Sequence, residues 1–408
     1  MAVNKVSRTI KEQIALLKTR GMLIKDEQAA ALCLGYISYF RLKGYWWDMQ
    51  TDKINHVFAP NSYFEDVIAR YNFDRQLRLI LFDAIELIEI ALRTKLIYHL
   101  SQAYGGLWYL NDSLVMDKDK YQSYLRDLQS EFERNGENFS KDFRAKYPNG
   151  NPDAWIIFEV ATFGTLSKIY SNLKPKIPQK SLIAHEFGLN SISDLSSWFA
   201  AISYLRNLIA HHSRLFGRDI LKRPILPKTP RNQWLQFGLT TVQEKKPFAV
   251  ISTMIYLCNA INPNNEIKDK LLALLNNSPN IPIYKLGFFN NWQDEPLWKI
   301  NEKISEKINN SKTTDIKSDI IYFLINEKIN EKINLNDNLK ESLCKIIYSL
   351  YNKPNQSRID LIEQIQKGRA TTDRYIKILK DANIIELKGS KKTGGYYLTE
   401  EMKITIND

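Results

Sequence analysis

The sequence predicts a mainly α-helical protein with a small α+β module at its C-terminal end. Three observations carry that expectation. Apolar residues recur at three- and four-residue steps through much of the first 290 residues, strand signals are sparse there, and two short β-rich runs appear only near the end, after three helical patterns. The expected organisation is a helical bundle over 1–290, a helical linker over 291–337 and a small domain over 338–408.

The chain has 408 residues, enough for two or three domains that each bury a core. Hydrophobic residues make up 44% and charged residues 25%, which excludes a disordered chain on one side and a membrane protein on the other. No run of about 18 apolar residues occurs, because Asp83, Glu86, Glu89 and Arg93 interrupt the most hydrophobic stretch, and the N-terminus lacks a signal-peptide core. Cys33, Cys258 and Cys344 lie far apart with no histidines at zinc spacing, so neither a disulfide framework nor a structural metal is expected. These features point to a cytoplasmic, reduced protein. A formal net charge of +12 makes an anionic partner, above all a nucleic acid, the first to consider.

Taken in order, short helical patterns appear at 8–20 and 26–40. A long amphipathic helix is expected from Tyr71 to Leu100, with Leu77, Leu81, Ala84, Ile85, Ile88 and Leu92 on its apolar face and Arg75, Arg78, Asp83, Glu86 and Arg93 between them. Further patterns occupy 117–134 and 153–172. A second long helix should run from about Ile192 to His212, capped by Ser191 or Ser193, followed by a basic, proline-bearing surface loop at 213–233 and a helix at 247–261. After Trp298 the unit Ile-Asn-Glu-Lys repeats, at 300–304 and 325–333. Isoleucine every fourth residue drifts around a 3.6-residue helix, so a solvated helical linker is expected rather than a long coiled-coil seam.

The last segment reads as helices at 339–350, 357–366 and 371–383, then Ile384-Ile385-Glu386-Leu387, a basic glycine-bearing turn over 389–395, and Tyr396-Tyr397-Leu398-Thr399. Three helices followed by a β-hairpin make a winged helix-turn-helix, whose third helix is the one normally presented to a nucleic-acid groove. Here that helix carries Arg374, Lys377 and Lys380. The net charge over 341–408 is only +3, so protein docking is an equal reading beside RNA or DNA binding.

The most informative window is Tyr204-Leu-Arg206-Asn207-Leu-Ile-Ala-His211-His212-Ser-Arg214. Asn207 and His211 are four apart and share a helix face, whereas Arg206 and His211 are about 140° apart, within reach of a long arginine. From Arg206 to Arg231 seven basic residues, among them Arg218, Lys222 and Arg223, stand against the single acidic Asp219. A histidine in a basic patch with no acidic or thiol cluster beside it suits phosphate chemistry that needs no metal. The competing reading is structural, with these side chains capping the helix end.

Arg206-Asn-x-x-x-His211 resembles the signature of HEPN ribonucleases. Together with Ile37-Ser-Tyr-Phe-Arg-Leu-Lys-Gly-Tyr-Trp46, Phe73-Asp-Arg-Gln-Leu-Arg78, Ile88-Glu-Ile-Ala-Leu-Arg93, Phe163-Gly-Thr-Leu-Ser167 and Leu205 to Arg214, it resembles the Abi family of bacterial abortive-infection proteins (the AbiD/AbiF type) over about residues 5–260. The resemblance implies a HEPN-type helical bundle, a homodimer, a toxin-like endoribonuclease in antiviral defence related to the RNA-guided type VI CRISPR ribonucleases, and for some members control by a small non-coding RNA.

Chemistry supports the same residues. Metal-free RNA cleavage takes a proton from the 2′-hydroxyl, gives one to the 5′-oxygen and neutralises charge on the phosphate, so His211 is expected as general acid or base, Arg206 as phosphate clamp and Asn207 as the orienting group. His212, Arg214 and Arg93 are possible supporting residues, Arg93 paired with Glu89 or Glu86 on its own helix. Arg218, Lys222 and Arg223, with Arg374, Lys377 and Lys380, are the candidate nucleic-acid contacts. Tyr36, Tyr39, Phe40, Tyr45, Trp46 and Trp47, interleaved with Arg41 and Lys43, either stack on bases or build core. Two protomers would supply two Arg-His sets to one composite site. No cofactor, metal or membrane partner is expected. The competing function is a non-catalytic regulator that binds nucleic acid through the winged helix and dimerises through its body; a third is an interaction protein with the chemistry lost.

Overall fold

The computed structural model describes residues 6–299, 337–390 and 394–407, so the repeat-bearing linker, apart from its first residues, lies outside the described residues, as does the tip of the C-terminal turn. The protein is mainly helical with two small antiparallel sheets, and it divides into two compact units, Met1–Lys299 and Ile300–Asp408. Among the described residues no helix is long and apolar enough to cross a membrane.

In the first unit α1 (Ile10–Thr19) starts at a capping box between Thr9 and Glu12. The pattern at 26–40 resolves into two helices, α2 (Glu27–Tyr36) and α3 (Tyr39–Trp46). Extended backbone at Ile37 breaks it, and the Ser38 hydroxyl then accepts the Arg41 N–H to start α3. A hairpin of β1 (Gln50–Asp52) and β2 (Val57–Phe58) follows.

Next comes α4 (Phe64–Tyr104), 41 residues and so about 60 Å long, ended by Gly105 at φ 79°. It is the spine of the unit and packs against α3, α8 (Phe163–Asn172), α9 (Pro178–Glu186), α10 (Ile192–Ala210), α11 (Pro247–Ile261) and α12 (Ile267–Asn276). Its apolar face is the expected one, with Leu77, Leu81, Ala84, Ile85, Ile88 and Leu92 buried, but Arg78 is buried too, beside Asp74. Between α4 and α8 lie α5 (Lys118–Arg134), α6 (Asn138–Lys146) and the one-turn α7 (Ala154–Ile157). The pattern at 153–172 is therefore interrupted: after α7 the chain makes a 3₁₀ turn and an extended step, and Thr162 caps α8 anew.

The unit does not stop at 290. Trp292, Leu297 and Trp298 are buried, Trp298 stacks on Phe248 at 5.5 Å, and the buried Glu295 carboxylate accepts the N–H groups of Gln236 and Phe237. Those bonds hold the chain just after the proline-bearing loop, and Trp198 Nε1, donating to the Ile225 carbonyl at 2.8 Å, fixes the loop itself against the body. In the second unit α13 (Asp337–Asn352), α14 (Arg358–Ile365) and α15 (Arg369–Asp381) precede the antiparallel hairpin of β3 (Ile385–Lys388) and β4 (Gly395–Leu398), and α16 (Glu400–Asn407) adds a helix not expected from sequence. Leu343, Ile347, Leu361, Leu379, Ile384 and Leu398 form its separate core.

One lysine belongs to the scaffold. Lys180 on α9 is buried and donates to the carbonyls of Ser171 (3.0 Å) and Leu173 (2.6 Å), satisfying the C-terminal end of α8. Burial lowers its amine to about 8. Since the folded value lies below the unfolded one, folding is penalised at neutral pH and stability rises as pH climbs from about 8 towards the unfolded lysine value. Urea denaturation of the wild type should gain about 1.5 kcal/mol between pH 8 and 9.5 relative to Lys180→Met. Parallel pH curves for the two proteins would rule this out.

Candidate functional site

The Arg-Asn-His window sits at the C-terminal end of α10, where Ser191, not Ser193, is the N-cap and His211 the C-cap. The chain leaves the helix through a Schellman turn: the His212 N–H reaches the Ile209 carbonyl (2.9 Å) and the Ser213 N–H reaches that of Leu208 (2.8 Å). The left-handed position of this turn normally takes glycine, but His212 occupies it at φ 53°. Such a conformation persists where surrounding contacts enforce it.

Those contacts come from the other motif segments. Arg41 on α3 donates to the His212 carbonyl at 2.6 Å. Arg214 donates to the carbonyls of Gly44 (2.7 Å) and Phe216 (2.6 Å) and lies over the Tyr45 ring. A Cβ on Gly44 would stand 2.8 Å from Arg214 Nε, which is why glycine is needed there. Beneath them Asp74 of α4, fully buried, accepts the backbone N–H groups of Leu215 (3.1 Å) and Phe216 (2.8 Å), the Tyr45 hydroxyl (2.7 Å) and the Arg78 guanidinium. Burial pushes the Asp74 carboxyl up while the Arg78 charge opposes it, and burial with the Asp74 charge raises the Tyr45 phenol, which stays a donor.

Against this fixed turn the candidate side chains are free. Among the described residues Arg206, Asn207 and His211 have no side-chain hydrogen bond or ion pair, so His211 caps the helix through its backbone alone and none of the three side chains does; Asn207 and His211 are exposed and Arg206 half-buried. Arg206, Asn207 and Lys222 line a groove of about 960 Å³ between α5, α8 and α10. His211 lies one turn beyond Asn207, outside the groove lining. A smaller cleft of about 320 Å³ joins Arg206 to Phe82, Glu86, Glu89, Ile90 and Arg93 of α4. Arg93 pairs with Glu89 at 3.2 Å and donates to the Ala161 carbonyl, leaving its buried Nε without a partner. Burial raises the Glu89 carboxyl, opposed by Arg93 and Arg206.

The remaining candidates separate. Arg214 is turned inward as a clamp, and Arg218 donates to the Arg214 carbonyl at 3.5 Å. Lys222 and Arg223 are exposed on the loop after α10. Arg374, Lys377 and Lys380 are exposed on α15, in the other unit. Of the aromatic run, Tyr45 and Trp46 are core, whereas Tyr36, Phe40 and Trp47 are exposed. Asp74 and Arg41, which hold the turn, were not anticipated as site-building residues; their presence inside the motifs was the available signal. Among the described residues no group of three or more histidines, cysteines or carboxylates is placed to hold a metal ion.

Removing the hub carboxylate leaves Arg78 buried without its charge partner and two N–H groups unsatisfied. Asp74→Ala should therefore cost about 3–5 kcal/mol in urea denaturation. A loss below about 1 kcal/mol would show that the turn is held by other contacts.

Residues 33–217 match the model of a family described as Abi-like protein. No curated protein and no solved structure matches the chain. The match runs from α2 to the residue after Phe216, and so takes in Arg41, Gly44, Asp74 and the whole turn they hold. It supports the Abi family for this chain over the segment that builds the candidate site.

Proposed function

We propose that this protein acts in abortive infection, as the Abi-like match suggests, and that it does so as a metal-independent endoribonuclease of HEPN type. The observation that carries the reading is the contrast at the end of α10: a turn held by Arg41, Arg214 and Asp74, and three neighbouring side chains, Arg206, Asn207 and His211, that make no hydrogen bond or ion pair, Arg206 acting on Glu89 through its charge alone. A half-buried guanidinium with a structural role is normally bonded, whereas Arg206 is not, and the exposed Asn207 and His211 beside it are open to the same substrate.

In the proposed reaction the 2′-oxygen attacks the adjacent phosphorus, its proton leaving to a base, as the bond from phosphorus to the 5′-oxygen breaks and that oxygen takes up a proton. His211 serves one of these transfers as general acid or base. Arg206 neutralises the charge on the non-bridging oxygens, and Asn207 orients His211 or the phosphate. His212 serves through its backbone, as the left-handed residue that turns the chain.

A second proton-transfer group has to come from elsewhere, and a second copy of the chain would supply it. Leu79, Phe82 and Ile90 are exposed on one face of α4, next to the cleft that also holds Arg206. Two-fold pairing along this face would cover the apolar stripe and bring two Arg-His sets together. The second unit favours a further reading, a winged helix that binds nucleic acid, because Arg374, Lys377 and Lys380 lie exposed on one face of its third helix and are followed by the hairpin.

Purified protein in EDTA should cut single-stranded RNA to 2′,3′-cyclic phosphate ends. Arg206→Ala and His211→Ala should each lower the rate by about 10²- to 10⁴-fold, whereas His212→Gly should keep activity and stability, since glycine suits its backbone. Equal cleavage by the Arg206→Ala/His211→Ala variant would refute the assignment. Phe82→Glu should yield a folded monomer in sedimentation and lose cleavage; an active monomer would remove the composite site.

A further inference from the structure

Arg206 borders two cavities: it lines the groove beside Asn207 and also the cleft on α4. Its side chain is half-buried, yet among the described residues no hydrogen bond or ion pair fixes it. A side chain this long loses much rotamer freedom when it is held, so an unrestrained guanidinium would meet a phosphate unprepared. The half-buried carboxylate that shares the cleft with it is Glu89. That carboxylate is itself fixed: Arg93, four residues on, engages its Oε1 at 3.2 Å and is tied in turn to the Ala161 carbonyl at 3.0 Å, just ahead of α8. Glu86 lines the cleft as well but is exposed, where solvent and salt screen it. Phe82, Ile85 and Ile90 make up the rest of the lining, and beside apolar walls a charge is felt more strongly. Burial opposes the Glu89 charge whereas Arg93 and then Arg206 favour it, so carboxylate and guanidinium attract each other without forming an ion pair.

We propose that Glu89 is a positioning residue for the phosphate clamp, restraining the Arg206 guanidinium at the boundary between cleft and groove until a phosphate takes over its charge. The proposal rests on the reading of Arg206 as that clamp and adds what holds it ready. Two consequences follow, and they have opposite signs. An ordered guanidinium speeds reaction of the bound complex, because less has to be arranged on the way to the transition state. A carboxylate behind the guanidinium also competes with the phosphate and so weakens binding in the ground state. Neutralising Glu89 should therefore lower kcat and KM together, a pattern that a loosened fold does not produce.

The test is cleavage of a short labelled oligoribonucleotide in EDTA by full-length wild type, Glu89→Gln, Arg206→Ala and the double variant. Glu89→Gln keeps the shape of the side chain and an oxygen for Arg93, and it should lower kcat by about tenfold and KM by about threefold. In the Arg206→Ala background the same change should have an effect of about twofold at most, whereas a loss that acts through Arg93 would appear in both backgrounds alike. Where Glu89→Gln fails to fold, Glu89→Asp carries the test: its retracted charge should lower kcat by about threefold, and not in the Arg206→Ala background. An unchanged KM in Glu89→Gln, or an equal loss of kcat in both backgrounds, overturns the proposal. Urea denaturation of the same four proteins separates it from the ribonuclease reading. If wild type leaves RNA uncut, single-variant losses of stability that together exceed the loss of the double variant keep the coupling of Glu89 to Arg206 and overturn the ribonuclease reading, while additive losses overturn both.

Discussion

Asp74 is a carboxylate with no access to water, and such a group persists only when every lone pair is answered. Tyr45, Arg78 and two consecutive backbone N–H groups answer them, and each donor comes from a different obligation: α3, the helix of Asp74 itself, and the chain that has just left α10. Arg41 and Arg214 extend the same knot to the carbonyls of His212 and Gly44. The position of the α10 end, and therefore of every candidate functional side chain on it, follows from this one satisfied charge. Replacing the carboxylate removes attraction and leaves its former donors buried and unmatched, so the knot holds as a unit.

The division of labour between neighbouring residues is sharp. In Arg206 to Phe216 duties divide between near neighbours: the side chains of Arg206, Asn207 and His211 make no hydrogen bond or ion pair, while His212, Arg214, Leu215 and Phe216 are committed through backbone or guanidinium. A rigid support directly beneath an uncommitted group is what preorganisation requires, because the cost of ordering is met in folding and not at each encounter with substrate.

Much of this was legible in the sequence, and the losses have physical causes. The helices read correctly at 10–19, 118–134 and 192–210 begin with Thr9, Asp117 and Ser191, whose side chains cap the first turn. Those missed, α6, α9 and α12, begin at Glu137, Ile177 and Glu266 with no side-chain cap bond, and the proline that opens α9, a start signal shared with the correctly read helix at 247–261, was passed over. The N-terminal start of α4 was placed late for the same reason, Tyr63 being unable to cap it. The breaks at Ile37 and Ala161 were hidden because apolar spacing continues across them. The window from Arg206 to His211 was found through its polar residues in an apolar helix, whereas Asp74 looked like any solvent-facing residue of an amphipathic pattern. Its burial depends on partners 141 and 142 positions away, and no periodicity reports that distance.

The same separation governs when the site comes into being. Asp74 and Arg41 are made early in synthesis, but the backbone they hold appears only 141 to 171 residues later. Contacts of such span form late, after the loop-closure entropy has been overcome and α4, α8 and α10 have docked. A nascent or partly folded chain therefore carries the residues Arg206, Asn207 and His211 without their arrangement. In a protein whose proposed activity is harmful to the cell that makes it, long-range topology delays the assembled site until the chain has been made through Phe216.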